Sequence, residues 1–319
     1  MKLLKLIALA VMVAAAPAIS VHAADKPSSV RVTYVASPFN VPSIVMRKKG
    51  FLEEAFAAAG IDKVENPEIT SGAAQIQALA AGAVDIASVL GGTSAILGRA
   101  NGIDLKVIAA YSRSPKAFFV MTTANGPVSV KDLKGKSVGG PKGTTLNQLL
   151  AAALAANGMK LGDVEYLNMD IPAARAALLA GKVDAATLAG ANALQVEAAG
   201  GRILASGEGL IAPTSVIAVR TGFLRDHPDL VQAYLAAHGK ALAFMKANPE
   251  EALKIAAEDQ KISVEDARKQ LPWYDFTLAM TDADVKNLEA DQSFMIEAGM
   301  LQKTIDTRRD LIDPMAFKP

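Results

Sequence analysis

Cysteine is absent from the 319-residue chain, tryptophan occurs once and histidine three times. A chain without cysteine has no disulfide, no thiolate nucleophile, no cysteine-ligated metal site and no lipid anchor on an N-terminal cysteine. The HExxH, GxSxG and Walker-type motifs are missing as well. Two of the histidines, His227 and His238, fall in a helical pattern that favours surface positions. We therefore expect a protein that is not an enzyme and holds neither a metal nor a cofactor.

Long apolar runs are scarce, and one of them lies at the start of the chain. Residues 1–23 read MKLLKLIALAVMVAAAPAISVHA, with two lysines before the apolar run 6–16 and the small residues Val21 and Ala23 before a cleavage point. The alternative, a transmembrane anchor, needs roughly 20 apolar residues. The pattern predicts a cleaved signal peptide and a periplasmic location.

Neither sign of charge dominates. Residues 1–23 contain two lysines, which leaves 31 basic against 32 acidic side chains in the rest of the chain. Such a balance does not favour binding to nucleic acid or to an anionic membrane surface. The remaining 296 residues exceed the length at which a single core usually stops growing. We therefore expect two lobes.

An internal repeat supports two lobes of similar topology. Short β-rich segments alternate with alanine-rich helical segments, which is typical of βαβ units. The segment AQIQALAAGAVD at 74–85 resembles AARAALLAGKVD at 173–184, an offset of 99 residues. Each copy predicts a helix, a glycine turn and a buried strand. Two such α/β lobes enclose a cleft between them.

The last third of the chain has an almost wholly helical pattern. Proline, serine or aspartate residues mark the start of each predicted helix. We expect this tail to pack on the first lobe, because no linker-like segment separates it as an independent domain. The predicted helices span 228–247, 249–259, 263–270 and 282–298.

Five polar, glycine-containing segments follow predicted strands and lead into helices. In doubly wound sheets the ligand binds at such places. Helix N-termini carry unpaired N–H groups and partial positive charge, and none of the five segments contains an acidic residue, so together they favour an anion. They are SPFN at 37–40, TSGA at 70–73, LGGTS at 90–94, PKGTT at 141–145 and AGAN at 189–192.

Individual residues of these segments have alternative roles. Ser71 and Thr144 with Thr145 are either ligand contacts or helix caps, and Gly92 is either a contact or part of a flexible turn. Lys142 either faces the charge of a ligand or lies in solvent.

Residues outside the five segments are candidates too. Arg113 follows a strand that ends near Tyr111 and either reaches the cleft or lies on the surface. Asp170 is either an acid in the cleft or a helix cap. The aromatic segment at 273–276 either clamps an aromatic ligand or anchors the tail to the first lobe.

Several motifs, in this order along the chain, resemble the substrate-binding proteins of ABC importers, of the nitrate, sulfonate and taurine type. The likeness extends from about residue 30 to residue 223. The motifs are SPFNVP at 37–42, KGFLE at 49–53, SG at 71–72, ALAAGAVD at 78–85, VKDLKGKSV at 130–138 and KGT at 142–144.

The resemblance implies an α/β, two-lobed type II periplasmic binding protein, in which each lobe is a doubly wound sheet and the ligand cleft lies between the lobes. Two strands near 117–123 and 214–219 would cross between the lobes, which close on the ligand by a hinge. The expected domains are a signal peptide at 1–23, a first lobe at 28–116 and 220–319, and a second lobe at 117–219.

The resemblance and the residue pattern together give one set of expected ligand-binding residues. The family's matching positions contribute those from Ser37 to Thr93 and from Lys142 to Thr145, and the remaining four come from the residues themselves. The set is Ser37, Phe39, Asn40, Ser71, Gly72, Gly92, Thr93, Tyr111, Arg113, Lys142, Gly143, Thr144, Thr145, Asp170 and Asn192.

The expected function is a periplasmic receptor that binds a small organic anion, an alkanesulfonate or taurine-like compound, and delivers it to a permease in the inner membrane. We expect a monomer. One alternative is a binder of thiamine-type pyrimidines or an enzyme of the same fold, although the absent cysteines disfavour the pyrimidine-forming enzymes. The other alternative is a sensory binding protein that docks on a membrane receptor.

Overall fold

The computed structural model describes residues 25–35 and 39–319; the predicted signal peptide and Ser37 lie outside these ranges. Strands and helices alternate up to residue 220, and helices follow. The strands are β1 (Val30–Arg31), β2 (Val64–Glu65), β3 (Ile86–Gly91), β4 (Leu105–Arg113), β5 (Phe118–Thr122), β6 (Ser137–Gly140), β7 (Glu165–Asn168), β8 (Ala185–Ala189), β9 (Arg202–Ser206) and β10 (Thr214–Arg220). The helices are α1 (Val41–Lys48), α2 (Phe51–Ala58), α3 (Gly72–Ala80), α4 (Gly92–Ala100), α5 (Thr145–Ala155), α6 (Ile171–Leu179), α7 (Ala191–Ala198), α8 (Thr221–Asp226), α9 (Pro228–Ala247), α10 (Pro249–Gln260), α11 (Val264–Gln270) and α12 (Asp282–Glu297).

The strands form two sheets with the same order. In the second sheet the order is β7-β6-β8-β5-β9, with β6 parallel to β7 and β8, and β5 antiparallel to β8 and β9. In the first, β10 lies antiparallel between β3 and β4, while β1 pairs in parallel with β2 and reaches β3 through a parallel bridge from Val32 to Ile86. The first sheet therefore has the order β2-β1-β3-β10-β4, as the internal repeat predicts. We call each sheet with its packed helices a lobe.

The repeat holds in the details of the backbone. Helices α3 and α6 both end in a glycine turn, at Gly82 and Gly181, and both glycines have φ of 65°. This left-handed conformation suits glycine, which has no Cβ to clash with the preceding carbonyl. The strands that follow, β3 and β8, are central in their sheets.

Equivalent aspartates follow these turns. Asp85 accepts a hydrogen bond from the backbone N–H of Arg31 at 2.9 Å, and Asp184 accepts one from the backbone N–H of Ser137, also at 2.9 Å. Each aspartate thus ties the start of its strand to the neighbouring parallel strand. Asp85 is 1% exposed and also binds the guanidinium groups of Arg31 and Arg220. The two residues are structural, at the end of the sheet opposite the proposed cleft.

The strands β5 and β10 carry the chain between the lobes, close to the positions expected. β10 pairs with β3 and β4, so it belongs to the first sheet and not to the second lobe, to which the sequence-based boundary assigned 214–219. The connections 114–117 and 207–213 run beside each other: the Gly207 N–H donates to the Phe118 carbonyl at 2.9 Å, and a Cβ at Gly207 would collide with the Pro115 carbonyl. These neighbouring connections are the candidate hinge region.

The helical tail packs on the first lobe, as expected. Helix α9 lies against α1 and α2, α10 lies against α1, and α12 lies against α4. Its aromatic and aliphatic side chains complete the two apolar clusters on either face of the first sheet. Among the described residues, no helix combines the length and apolar character needed to span a membrane.

His238 departs from the surface position that the sequence pattern favoured. Its side chain is 0% exposed, with the rings of Tyr111 and Tyr234 at 5.4 and 6.2 Å, and neither ring nitrogen has a hydrogen-bond partner among the described residues. The helix that carries it is buried on one whole face by α1 and α2, which explains the difference. Burial lowers the pKa of His238 to about 4.

Replacing Asp85 by alanine leaves a buried backbone N–H and two guanidinium groups without their shared acceptor. We expect Asp85→Ala to lower the free energy of unfolding by about 3 kcal/mol. Asp184→Ala should cost only about 1 kcal/mol, because this side chain is 37% exposed. Urea unfolding followed by circular dichroism measures both. Equal losses in the two variants would contradict the burial argument.

His238 should make the fold sensitive to acid. Its folded-state pKa lies below the usual 6.5, so the unfolded chain gains a proton that the folded chain does not, and stability falls as pH drops from about 6.5 towards 4. Between pH 7.5 and 5 the wild type should lose about 2 kcal/mol more than His238→Phe. His227→Gln is the matched control and should keep the wild-type acid sensitivity. Urea titrations at both pH values measure the free energy of unfolding. A loss between pH 7.5 and 5 that is as large in His238→Phe as in the wild type would refute the prediction.

Candidate functional site

The carboxyl ends of the strands in both lobes meet at the crossing connections. The first residue of β5, Phe118, pairs with Ala189 at the end of β8, and Ser215 near the start of β10 pairs with Gly91 at the end of β3. The chain therefore enters each sheet at the ends where the polar segments lie. The N-termini of α1, α4, α5 and α7 follow these ends, which places the candidate cleft beside the hinge.

The N-terminus of α1 is held by buried polar contacts. Asn40 is 1% exposed, and its Nδ2 donates to the Val35 carbonyl at 3.0 Å. Phe39 is equally buried and its ring lies 6.3 Å from that of Tyr274. Both predicted residues thus lie directly before the first residue of α1, with Asn40 as its N-cap.

Tyr111 also belongs to this region. Its hydroxyl accepts hydrogen bonds from the Ser43 hydroxyl at 3.1 Å and from the Ser43 backbone N–H at 3.4 Å, in the first turn of α1. Its ring is 0% exposed and contacts Phe276 edge-on at 5.9 Å. Burial raises the pKa of Tyr111, so the hydroxyl stays protonated. The residue is a neutral hydrogen-bonding group and not a base.

Ser71 and Gly72 begin α3. Ser71 is exposed and caps the helix, with its hydroxyl 3.5 Å from the Ala74 N–H. A Cβ at Gly72 would overlap the side chain of Ser94 on α4. Ser71 is therefore a helix cap, which was one of its two expected roles. Gly72 permits close packing of α3 against α4.

Gly92 and Thr93 begin α4 and are buried. A Cβ at Gly92 would collide with Leu288 and lie 2.8 Å from the Thr214 carbonyl. Glycine is therefore required here by close packing of α4 against β10 and α12, which excludes the alternative of a flexible turn.

Backbone N–H groups of the segment after β6 are already hydrogen-bonded to side chains of the protein. The Lys142 N–H donates to Asn168 Oδ1 at 2.9 Å, and the Gly143 N–H donates to Asn147 Oδ1 at 3.1 Å. Thr144 caps α5 by accepting from the Leu146 N–H at 3.2 Å. The Lys142 side chain is exposed. Two N–H groups that the sequence offered to an anion are thus already bonded.

Two further candidates lie at helix starts in the second lobe. Asp170 caps α6 by accepting from the Ala173 N–H at 2.8 Å, at the position that Ser71 has in the first lobe. Asn192, in the first turn of α7, is 8% exposed, and Thr145, the first residue of α5, is half-buried. Asp170 is therefore a cap, whereas ligand binding by Asn192 and Thr145 stays a prediction.

Arg113 attaches the helical tail to the first sheet. Its guanidinium donates to both oxygens of Asp284 at 2.6 Å, to the Thr277 carbonyl at 2.8 Å and to the Ala279 carbonyl at 3.0 Å. These four hydrogen bonds attach α12 and the preceding loop to the end of β4. These contacts disfavour the expectation that Arg113 binds the ligand, because four hydrogen bonds of its guanidinium group are made within the first lobe and its tail.

The aromatic segment at 273–276 anchors the tail, as one alternative proposed. The backbone of Asp275 pairs with that of Arg113 at 2.8 and 2.9 Å, and the ring of Tyr274 stacks on that of Phe276 at 5.5 Å. Trp273 also reaches the second lobe, where its ring meets Phe119 edge-on at 5.4 Å. The segment thus contacts both lobes.

Tyr274 is a candidate site residue that the expected set of ligand-binding residues does not contain. Its hydroxyl is buried and makes no hydrogen bond of normal geometry to any described residue. Burial raises its pKa, and the backbone N–H of Phe39, which faces the hydroxyl, offsets part of that rise. A buried hydroxyl without a partner is costly unless a ligand or water completes it. The aromatic segment at 273–276 was the sequence signal for Tyr274, but the burial of its hydroxyl could not be predicted from the sequence.

A buried acid was also missed. Asp291 on α12 is 4% exposed, accepts a hydrogen bond from Gln148 Nε2 on α5 at 2.6 Å, and lies 3.6 Å from the position of a Cβ at Gly92. Burial raises its pKa to about 6, against a smaller lowering by Gln148. The five acid-free segments gave no indication of it, because it lies in the helical tail, 99 residues beyond the last of them.

The candidate site combines groups that are suited to holding a ligand. Its groups are helix N-termini, buried hydroxyls and amides, and aromatic rings. Asp170 and Lys142, two of the candidate bases or nucleophiles, lie exposed at different loops. Within the described ranges there is no group of three or more histidine, aspartate or glutamate side chains that could hold a metal ion.

Comparisons with known proteins agree with this geometry. The family model described as NMT1/THI5 like matches residues 38–252. An aliphatic sulfonates-binding protein by name, from Bacillus subtilis, is 30% identical over 285 residues, which cover 87% of this chain and 84% of that protein. The taurine-binding periplasmic protein of Escherichia coli is 31% identical over 210 residues, 63% of each chain.

A solved structure shows the same fold. The alkanesulfonate-binding protein SsuA from Xanthomonas axonopodis pv. citri, bound to MOPS, superposes with a TM-score of 0.80 at 21% identity, over 91% of this chain and 100% of that one. The resemblance to substrate-binding proteins of the sulfonate and taurine type and the two-lobed α/β fold are thereby confirmed. The chain belongs to the NMT1/THI5-like family.

Proposed function

We propose that this chain is the periplasmic receptor of an ABC importer, that it binds a small organic anion of the alkanesulfonate or taurine-like class between its lobes, and that it delivers the anion to an inner-membrane permease. The observation that carries the proposal is the convergence of helix N-termini from both lobes beside the hinge. The names of the relatives from Bacillus subtilis and Escherichia coli support this ligand class.

The proposed domains follow the sheets. The first lobe comprises 28–116 and 214–319, and the second comprises 117–213, so that β10 stays with the sheet in which it pairs. This moves one boundary by six residues from the sequence-based one. The two connections at 114–117 and 207–213 then form the hinge.

We propose that neutral donors hold the sulfonate group. Arg113 is engaged by Asp284, so no guanidinium from β4 is offered. The remaining donors are the hydroxyl of Tyr274, the amide of Asn192 and the N–H groups at the starts of α1, α4, α5 and α7. Such preformed donors suit an oxyanion with three equivalent acceptor oxygens. Lys142, which is exposed, would supply a cation only at the rim.

The protein acts by binding and release in this proposal, without a chemical step. The protonated Tyr111 hydroxyl, the capping Asp170 and the exposed Lys142 do not form a nucleophile–base pair. The predicted signal peptide and the periplasmic relative support export. We propose a monomer, since each chain carries both lobes and hence a whole cleft.

A ligand panel tests the proposal. Native mass spectrometry of the protein purified from periplasm should reveal a sulfonate, and a thermal-shift panel should show stabilisation by alkanesulfonates or taurine. Ligand at 100 times its Kd should add about 2.7 kcal/mol to the free energy of unfolding. Pyrimidines and neutral aromatics are the controls. Stabilisation by pyrimidines alone would contradict the sulfonate proposal and favour the alternative binder.

Removing the Tyr274 hydroxyl should separate binding from stability. Tyr274→Phe deletes a hydroxyl that makes no hydrogen bond of normal geometry to a described residue, so the ligand-free fold should be about as stable as the wild type. Affinity for the bound sulfonate should fall about tenfold, because one donor is lost. Isothermal titration calorimetry and urea unfolding measure the two effects.

Tyr234→Phe is the matched control for this variant. The Tyr234 hydroxyl is also buried without a partner among the described residues, but it lies beside His238 between α9 and the first sheet. Its removal should leave affinity unchanged. Equal affinities of Tyr274→Phe and Tyr234→Phe would remove Tyr274 from the site.

A further inference from the structure

One buried polar contact joins the two lobes beside the cleft. Helix α5 packs on the second sheet, and α12 packs on α4 of the first lobe. Between them, Gln148 Nε2 donates to Asp291 Oδ1 at 2.6 Å. Both side chains are nearly covered, at 8% and 4% exposure. A hinge motion that separates the lobes would break this hydrogen bond and return both groups to water.

Among the residues that the structure describes, no cation compensates the buried carboxyl group of Asp291. Helix α5 carries no ionisable residue, and the charged groups on the other elements packed against α12 are each paired elsewhere. On α12 itself, Lys286, Glu289 and Glu297 are exposed. The paired groups are Arg99 with Asp104 from α4, Arg220 with Asp85 from β10, Arg308 with Asp282 and Arg309 with Asp310 from the turn at 307–311, and Arg113 with Asp284.

We propose that the Gln148–Asp291 hydrogen bond forms when the lobes close, and that Asp291 is a positioning residue through which closure takes up a proton. The inference rests on the proposed function as a receptor that closes over its ligand. It adds a dependence of ligand affinity on pH that the family resemblance and the names of the relatives do not provide.

The direction of the effect follows from burial. In the open form the carboxyl group is in water and has an ordinary pKa near 3.8, whereas in the closed form burial raises the pKa to about 6. The closed form therefore binds protons more readily, and it gains stability as pH falls through 6. Ligand binding, which requires the closed form, gains the same factor. Between pH 7.5 and 5.0 affinity should rise about tenfold.

A conservative variant distinguishes the effect of proton uptake by Asp291 from the effect of its hydrogen bond to Gln148. Asp291→Asn keeps an oxygen that accepts from Gln148 but removes the titration, so its affinity should be independent of pH over this range. At pH 7.5 it should bind at least as tightly as the wild type. Glu289→Gln, an exposed acid on the same helix, is the matched control and should keep the wild-type pH dependence.

Calorimetry with methanesulfonate, 1-propanesulfonate and taurine at pH 5.0 and 7.5 measures the effect on binding. Sulfonates keep their charge across this range, so the titration belongs to the protein. The expected result is the tenfold rise in the wild type and in Glu289→Gln, and its loss in Asp291→Asn. Equal affinities at the two pH values, or a pH dependence that persists in Asp291→Asn, would overturn the proposal.

A ligand-free measurement tests the inference even if none of these sulfonates binds, an outcome that would count against the proposed function alone. The chain has no cysteine, so Ala155→Cys on α5 and Lys286→Cys on α12 accept spin labels specifically. Pulsed electron–electron double resonance measures the distance between the two labels. The fraction of molecules with the short distance of the closed form should be larger at pH 5.0 than at pH 7.5. With Asp291→Asn added, the distribution should be the same at both pH values. A wild-type distribution that does not change with pH would overturn the proposal.

Discussion

Each sheet of this protein is completed by a strand that enters from the other half of the chain. β5 lies between β8 and β9, and β10 lies between β3 and β4, both antiparallel to their neighbours. Because a sheet strand cannot be withdrawn without breaking a row of backbone hydrogen bonds, the two lobes stay attached at these points. The short connections leading to β5 and β10 are what can bend. The position of the cleft, the convergence of helix N-termini and the contacts between the lobes all depend on this arrangement.

Charged side chains in this molecule mainly hold elements together, and the cleft that we propose is built largely from neutral groups. Asp85 joins two strands with the help of two arginines, and Arg113 attaches the tail. Both are ion pairs with several hydrogen bonds each, which makes them effective in partly buried surroundings. The site is left with hydroxyls, amides and backbone N–H groups. Asp291 is the exception, and its isolation from any cation is what makes it sensitive to the position of the lobes.

The sequence predicted the parts of the structure that depend on local signals. The glycine turns at Gly82 and Gly181, the capping residues and the proline starts of the tail helices are each decided within a few residues. The repeat then indicated two lobes of one topology. For the same reason capping was one of the two roles that the sequence offered for Ser71 and Asp170. The resemblance to importer receptors added the crossing strands, which no local pattern defines.

Residues brought together from distant parts of the chain could not be predicted. Tyr274 and Asp291 come from the tail, which packs on the first lobe and contacts the second lobe through Trp273. We propose that this packing places both residues at the cleft. Arg113 follows a strand at the expected place, yet its partner Asp284 is 171 residues away. His238 was expected on a surface that α1 and α2 cover. In each case the deciding contact depends on how helices pack, and the pattern of apolar residues does not specify which polar side chain faces inward.

A crystal structure of the exported protein grown with an alkanesulfonate tests the central claim most directly. The account predicts the sulfonate group between the lobes, within hydrogen-bond distance of the starts of α1 and of a second-lobe helix, with the Tyr274 hydroxyl as a donor. Another groove is lined in part by Phe119, Leu194 and Ile203 of the second lobe and by Trp273 of the tail. A sulfonate bound in that groove, with the space between the lobes unoccupied, would contradict the account.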